Sequence, residues 1–169
     1  LLPCFRGANT NANNNDNQHD HGDGSGYKIQ MMTPIDNFFR AAALWPDRAA
    51  VEIAHVDRIE QISYAKLADM VRAVAAGLQF IDPLPQSSVG ICAYNHFEHL
   101  LGWLGCFAAG KIWVPLNPRN GRDELNRIID VTAPSMIIFD ADCAEKFANT
   151  TAHLISARGE HQSAKSRIC

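Results

Sequence analysis

Two histidines and a glutamate, His96, Glu98 and His99, are the side chains near the centre of this sequence that are best suited to chemistry. A three-residue spacing on a helix would bring both imidazoles to one metal ion. These residues fall in the first turn of a predicted helix, however, and the positive end of a helix disfavours additional positive charge. We therefore interpret them as neutral polar side chains that cover the start of the helix.

A second pair of polar residues, Asn117 and Arg119, follows a short apolar run and lies in a turn made by two prolines. The carboxyl ends of the strands in an α/β sheet are where ligands bind, so this pair is a candidate edge of a substrate pocket. Turn chemistry and solvation are the alternative explanation. The sequence contains no Gly-x-Ser-x-Gly, His-Glu-x-x-His or Cys-x-x-Cys pattern, and we assign it no catalytic residue, no metal site and no cofactor site of its own.

The first thirty residues are rich in asparagine, histidine and glycine. His19, Asp20, His21 and Asp23 would at most bind a metal weakly, and the glycines of residues 22–26 lack the preceding strand and the lysine of a phosphate loop. Such a segment buries too little apolar surface to offset chain entropy. We predict that residues 1–30 are a disordered, low-complexity extension.

The central stretch from Asn95 to Arg119 predicts the elements that position these side chains. Asn95 is the expected cap of a helix whose large apolar residues point in nearly every direction, so this helix should be buried. Gly110 suits the left-handed residue just after a helix. Residues 112–114 then form a short buried strand, which the following prolines end.

The rest of the chain predicts alternating strands and helices. A helix should open at Thr33-Pro34, and a hairpin should form from residues 49–54 and 58–63. A helix capped by Ser63, a strand at 89–94, a helix at 123–132, a strand at 135–139 and a short helix at 141–148 follow. The fold class is α/β: a partial three-layer sheet with parallel strands and crossover helices, plus an N-terminal β-hairpin and disordered ends. Residues 31–148 are the folded domain, and residues 149–169 are a tail that we expect to be disordered.

The stretch FAAGKIWVPLN, from Phe107 to Asn117, resembles the second core motif of the adenylate-forming enzymes, in which a run such as LKAGAAYVPLN recurs. These are the acyl-CoA synthetases, the adenylation domains of peptide synthetases and the luciferases. Lys111 departs from the pattern, because a small residue is usual there. The Pro-Leu-Asn ending is more similar to the acyl-CoA synthetase branch. The positions that match are Ala109, Gly110, Pro115, Leu116 and Asn117.

A second stretch, from Ile62 to Leu67, resembles the first core motif of the same family through Ser63, Tyr64 and Leu67, although Lys66 replaces the usual glutamate. We expect Tyr64 to pack rather than to do chemistry. The resemblance covers about residues 35–140 and implies the N-terminal part of an AMP-dependent synthetase or ligase. Such an enzyme uses ATP and Mg²⁺ to convert a carboxylic acid to an acyl-adenylate, and then transfers the acyl group to coenzyme A.

The family's Gly/Ser/Thr-rich phosphate loop and its late catalytic lysine do not occur in this sequence. We therefore expect the chain by itself to be inactive. The alternative is a non-catalytic, truncated product that acts as an interaction module or is an unstable fragment, because three strands alone would leave an open sheet edge. A dinucleotide-binding domain is a poor third option, since no Gly-x-Gly-x-x-Gly follows a strand.

Composition narrows the partners of the chain. It has 169 residues, of which 47% are hydrophobic, and a net charge of −3, which does not favour nucleic acid. No run approaches the ~20 apolar residues of a membrane span. The five cysteines are widely spaced, which predicts reduced, buried thiols and a cytoplasmic location. The partner implied by the resemblance is a small-molecule carboxylic acid, bound only by the full-length enzyme, and the sequence assigns no oligomeric state.

Overall fold

A computed structural model of the chain describes residues 32–157. The predicted disordered extension, its histidines and aspartates, and the cysteines at positions 4 and 169 lie outside the described residues. Along the described chain the elements are α1 Pro34–Leu44, β1 Ala49–Ala54, β2 Ile59–Ser63, α2 Tyr64–Ile81, β3 Ser88–Cys92, α3 Phe97–Ala108, β4 Ile112–Pro115, α4 Arg122–Thr132, β5 Met136–Phe139, a 3₁₀ helix Ala141–Phe147 and β6 His153–Ser156.

The main sheet has four parallel strands in the order β4-β3-β5-β6. Val89 of β3 lies opposite Trp113 of β4 on one side and opposite Met136 of β5 on the other. The strands predicted at residues 89–94, 112–114 and 135–139 therefore lie side by side. The expected α/β class with crossover helices and a separate hairpin is confirmed.

The hairpin of β1 and β2 is a second, two-stranded antiparallel sheet. Glu52 lies opposite Gln61, and the turn is closed by the backbone N–H of His55, which donates to the carbonyl oxygen of Arg58 at 2.8 Å. Two strands alone have little stability in water, so the hairpin depends on packing against helices. Its inward residues contact the cluster that includes Leu67 and Val71 of α2.

Successive residues of a strand point to opposite faces of the sheet, so the apolar strands place hydrophobic side chains on both faces. Helices cover each of these faces. On one face, Val89 and Ile91 pack with residues of α2 and α3. On the other face, Cys92 and Ile137 pack with Leu125 of α4 and with the 3₁₀ helix. The result is the expected three-layer arrangement of helix, sheet and helix.

Helices α2 and α3 meet closely where a glycine of one faces a valine of the other. A Cβ atom built on Gly105 would lie 2.4 Å from Cγ1 of Val74. No side chain fits in that space, so the glycine permits the close approach of the two helices. Every residue from Phe97 to Ala109 is at least partly buried, as the all-round apolar pattern predicted.

The helix starts follow the expected chemistry in α1 and α2 but not in α3. Thr33 and Asp36 form a reciprocal capping box, and the Ser63 hydroxyl accepts from the N–H of Lys66 at 3.3 Å. In α3 the cap is His96 and not the predicted Asn95, because a ring nitrogen of His96 accepts from the N–H of His99.

Two further expectations are corrected by the fold. The tail is not disordered throughout, because Ile155 pairs with Ile138 and adds β6 to the sheet; residues 158–169 lie outside the described part. Strand β4 is not fully buried, since it lies at the sheet edge and Ile112 is 50% exposed. None of the helices between residues 32 and 157 combines the length and the apolar character that a bilayer crossing requires.

Candidate functional site

A mostly buried polar cluster lies where β3 and β5 end, at the carboxyl edge of the parallel sheet. Asp140 directly follows β5, and both of its carboxylate oxygens lie within 2.9 Å of Nε2 of His96. The same carboxylate accepts from the backbone N–H of Tyr94 at 2.8 Å. Nδ1 of His96 lies 2.9 Å from Oε2 of Glu98. We call His96, Glu98 and Asp140 the strand-end cluster.

Chain geometry explains how these residues meet. Parallel strands β3 and β5 are neighbours, so the residues that follow them leave the sheet at the same edge. The backbone N–H of Asp140 also donates to the carbonyl oxygen of Cys92 at 3.1 Å, which extends the ladder by one bond. The side chains of His96 and Asp140 are 13% and 10% exposed, so water competes little for their hydrogen bonds.

The imidazole of His96 has partners at both nitrogens. A carboxylate accepts only, so Nε2 of His96 carries a proton and donates to Asp140. In the neutral ring, Nδ1 accepts from the N–H of His99, and in the doubly protonated ring it donates to Glu98. With both nitrogens engaged, the ring is poorly placed to take a proton from a substrate. The arrangement instead joins the start of α3 to the end of β5.

The two histidines of the opening hypothesis have different surroundings. Nδ1 of His99 lies 3.2 Å from the carbonyl oxygen of Tyr94, to which it donates. His96, in contrast, turns toward the carboxylates of Asp140 and Glu98 while its ring accepts from the N–H of His99, so it covers the start of α3 from a mostly buried position. Within residues 32–157 no group of three or more His, Cys, Asp or Glu side chains is arranged to hold a metal ion.

The predicted pocket edge, Asn117 and Arg119, lies in the loop after β4, and both residues are exposed. The side-chain oxygen of Asn117 accepts from the backbone N–H of Arg119 at 2.9 Å, which closes the turn. The ammonium group of Lys146 donates to the carbonyl oxygens of Pro118 and Asn120 and holds the loop against the 3₁₀ helix. Neither residue lines the two cavities described below.

Lys111, the departure from the family motif, has a structural explanation. Its side chain is buried and its ammonium group donates to the backbone carbonyl oxygens of Asp82 and Leu84 and to the hydroxyl of Ser87. Hydrogen bonds from the Ser135 and Ser87 hydroxyls and the Leu84 N–H, together with the nearby ammonium charge, lower the pKa of Asp82 to about 2. Lys111 therefore fastens the loop between α2 and β3 to the sheet.

The three cysteines in the described part are free thiols, as the sequence predicted. Burial raises the pKa of Cys92 to about 12, with a smaller effect of the neighbouring Cys143. Burial likewise raises the pKa of Cys106 to about 11. Thiols that hold their protons so tightly are poor nucleophiles and poor metal ligands.

The remaining motif residues are structural. Leu67 and Ala109 are buried, and Gly110 has a φ of 69°, which favours glycine after a helix. Leu116 is 2% exposed and covers Gly90, where a Cβ atom would lie 2.9 Å from its Cδ1 atom. Tyr64 packs with its ring centroid 6.4 Å from that of Phe38. Leu67, Tyr64, Ala109 and Leu116 thus take part in the packing of strands and helices.

A cavity of about 560 Å³ lies between β1 and the first half of α3. Its walls include residues 51–54 of β1 and the apolar side chains of Phe97, Leu100, Trp103 and Trp113. His96, His99 and Asn95 also line it. We call this cavity the edge trough. A smaller cavity of about 300 Å³ lies between α1, α2 and α3 and includes Phe39 and Arg72.

The parallel sheet, the crossover helices and the two motifs define an α/β scaffold of the adenylate-forming type. The AMP-binding enzyme family matches residues 38–168, and the chain belongs to this family. Among curated proteins it is 27% identical over 118 residues to a linear gramicidin synthase of Brevibacillus parabrevis, and 31% identical over 108 residues to feruloyl-CoA synthase of an Amycolatopsis species.

The fold is shared with solved structures of this class. The fatty acyl-adenylate ligase of L. pneumophila superposes with a TM-score of 0.66 at 24% identity, over 76% of this chain and 24% of that one. The matched stretches cover 70% and 62% of this chain in the two curated relatives, but only 2% of the gramicidin synthase and 22% of feruloyl-CoA synthase. The chain therefore spans a small part of the length of its relatives.

Proposed function

We propose that the chain is the N-terminal part of the catalytic domain of an AMP-forming ligase that activates a carboxylic acid with ATP. The family match over residues 38–168 is the observation that carries this proposal. In the proposed reaction a carboxylate attacks the α-phosphate of ATP, an acyl-adenylate forms and pyrophosphate leaves. ATP and Mg²⁺ would be bound by the whole enzyme, because the family's Gly/Ser/Thr-rich phosphate loop and its late lysine, which meet the phosphate charge, do not occur in these 169 residues.

Coenzyme A is the acceptor that we propose for the acyl group. The Pro-Leu-Asn ending of the second motif, Pro115 to Asn117, supports this choice, and feruloyl-CoA synthase is among the relatives. Because a gramicidin synthase is also among the relatives, the thiol of a carrier protein is the alternative acceptor. The longer protein that contains this chain, assayed with coenzyme A and with a carrier-protein thiol, would separate the two; preference for the carrier protein contradicts our choice.

We also propose that Asn117 and Arg119 line the edge of the acid-binding pocket in the whole enzyme. Their position after β4, at the carboxyl edge of the sheet, supports this role. The turn formed by Asn117 leaves the Arg119 side chain exposed and free to meet a carboxylate. Replacement of Arg119 by Met in the longer protein should raise KM for the acid more than it lowers kcat, and unchanged kinetics would count against the role.

The activity of the chain by itself is tested by acid-dependent exchange of pyrophosphate into ATP. The purified 169 residues should show no exchange above a protein-free blank with either ferulate or a long-chain fatty acid. A calorimetric titration with MgATP should show no saturable binding. Clear turnover, or tight binding of MgATP, would mean that the chain holds more of the phosphate site than we propose.

The second candidate, a non-catalytic interaction module, is favoured by the edges of β4 and β1, each of which has a strand on one side only within residues 32–157. Size-exclusion chromatography and hydrogen exchange distinguish a module from an unstable fragment. A compact monomer with protected amides in β3 and β5 supports a folded module. Rapid exchange throughout those strands would indicate a fragment that needs the rest of the domain in order to fold.

A further inference from the structure

The edge trough borders β1 along its backbone and not only along one face. All four residues from Val51 to Ala54 line it, although successive side chains of a strand point to opposite faces. In the described part of the chain the sheet order is β1-β2, with no strand on the other side of β1. The trough therefore runs beside an unpaired strand edge.

The hairpin register shows which backbone groups face the trough. The N–H of His55 donates to the carbonyl oxygen of Arg58, so this is a hydrogen-bonding pair of the ladder. In an antiparallel ladder such pairs alternate with pairs that exchange none. Glu52 and Ala54 belong to the second kind. Their N–H and C=O groups point away from β2 and are available to a third strand.

The opposite wall of the trough suits the side chains of such a strand. Phe97, Leu100 and Trp103 project from α3, and Trp113 from β4 adds a second indole. The ring centroids of Trp103 and Trp113 are 6.0 Å apart, so the two indoles form one aromatic patch within this apolar wall, which we call the aromatic wall. An extended segment would place alternate side chains on this wall and leave the others in water.

The charge of the trough distinguishes between a second copy of the chain and a segment that carries a basic residue. Within the described residues, the trough is lined by one carboxylate, that of Glu52, and by no lysine or arginine. This carboxylate accepts a hydrogen bond from the neutral amide of Gln61, at 2.8 Å. Pairing of β1 with β1 of a second copy would bring two Glu52 side chains near each other, which is unfavourable. A basic residue opposite Glu52 would be favourable.

We propose that the edge trough accepts an extended polypeptide segment as a third strand on β1, with alternating apolar side chains and a basic residue opposite Glu52. The source of this segment is the remainder of the AMP-binding domain, since the chain covers only 24% of the related ligase structure. This inference rests on the proposed function. Main-chain hydrogen bonds to Glu52 and Ala54 supply affinity, and the aromatic wall supplies specificity.

The test uses overlapping twelve-residue peptides that tile feruloyl-CoA synthase outside its match to this chain. The purified chain should be captured by peptides that combine alternating apolar residues with lysine or arginine. Bound peptide should change the fluorescence of the tryptophans at the trough and slow amide exchange at Glu52 and Ala54. Capture needs no ATP and no catalysis, so this result is independent of the pyrophosphate-exchange assay that tests the proposed function.

Matched variants locate the binding edge. Glu52→Pro removes an N–H that faces the trough, and should weaken capture at least tenfold. Gln61→Pro removes the equivalent N–H at the far edge of the same hairpin, and should leave capture within twofold. Glu52→Lys keeps the backbone N–H and should make the chain prefer acidic peptides to basic ones. This variant tests the proposal even if a proline variant fails to fold.

Several results would overturn the proposal. These are capture of no peptide, capture that is equally sensitive to both proline variants, or protection of amides elsewhere than β1. A dimer of the chain that Glu52→Pro dissociates would assign the edge to a second copy instead. Saturable binding of the apolar dye anilinonaphthalene sulfonate in the trough, without peptide capture, would assign it to a small molecule.

Discussion

His96 and Asp140 are separated by 44 residues in sequence, yet Nε2 of the imidazole lies 2.8 Å from the carboxylate. The contact joins the start of α3 to the end of β5, and the same carboxylate accepts from the Tyr94 N–H. A mostly buried acceptor with two donors is costly to remove, because each donor then loses its partner away from water. We interpret this contact as one that holds the start of α3 against the carboxyl edge of the sheet.

Replacement of Asp140 by Ala should lower the free energy of unfolding by about 2–3 kcal/mol, because it leaves the donors of Tyr94 and His96 without their acceptor. Urea denaturation followed by circular dichroism measures this loss. Asp142→Ala, at an exposed position in the neighbouring 3₁₀ helix, is the control and should change stability by less than about 0.5 kcal/mol. Equal effects of the two variants would contradict the fastening role.

Gly105→Ala should destabilise the protein by about 1–3 kcal/mol, because its new methyl group would overlap Val74 at the contact of α2 with α3. Gly77→Ala is a matched control within a helix. No atom lies within 4 Å of a Cβ there, so the helix propensity of alanine should stabilise the chain by about 0.5–1 kcal/mol. Thermal unfolding of both variants measures the two changes in stability. If both variants were stabilised, or both destabilised, the close-packing argument would be refuted.

Lys111→Met should cost about 2 kcal/mol of stability, because a buried ammonium group that serves three oxygen acceptors is lost. Hydrogen exchange should also rise at Leu84 and Ser87, in the loop that Lys111 fastens. Lys66→Met, at an exposed position of α2, should have little effect on either measurement. Unchanged exchange in the loop of the Lys111 variant would show that the fastening lies elsewhere.

Stability should fall with acidity between about pH 4 and pH 2, partly because of Asp82. Its folded-state pKa is lowered to about 2, from an ordinary 3.8, so its contribution is complete above pH 4 and is lost as the pH falls through 2. In Asp82→Asn the decline over this interval should be shallower, and stability at pH 7 should be lower. Parallel pH profiles of the two proteins would contradict the assignment.

The buried thiols should resist alkylation. At pH 8, iodoacetamide should modify Cys92 and Cys106 roughly 100-fold or more slowly in the folded protein than in urea, because their pKa values are raised to about 12 and 11. Because both pKa values are raised by folding, the two protonated thiols contribute stability below about pH 9. This contribution is lost at higher pH, since the cysteines of the unfolded chain ionise first. Peptide mass mapping locates the modification, and rapid labelling of either cysteine in the folded state would contradict burial.

Much of the scaffold is encoded locally. The Thr33 and Ser63 caps, the left-handed Gly110 and the apolar runs of β3 and β5 depend on neighbours a few residues away, and each is found where the sequence predicts it. Expectations were wrong where a distant partner decides. Asn95 has the right chemistry for a cap, but Asp140 draws His96 into that position instead. A signal for this contact was present, as both residues follow apolar runs that predict neighbouring parallel strands.

The sequence by itself determined the order of most helices and strands, the left-handed glycine of the second motif and, through the two motifs, the family. Those features are local, because backbone geometry and hydrophobic periodicity act over a few residues. Only the tertiary structure decided that His153–Ser156 joins the sheet, that Lys111 is buried, and that β1 and the aromatic side chains of α3 and β4 line one cavity. These three depend on pairings between distant segments, and the free energy of such pairings is set by the whole packed core.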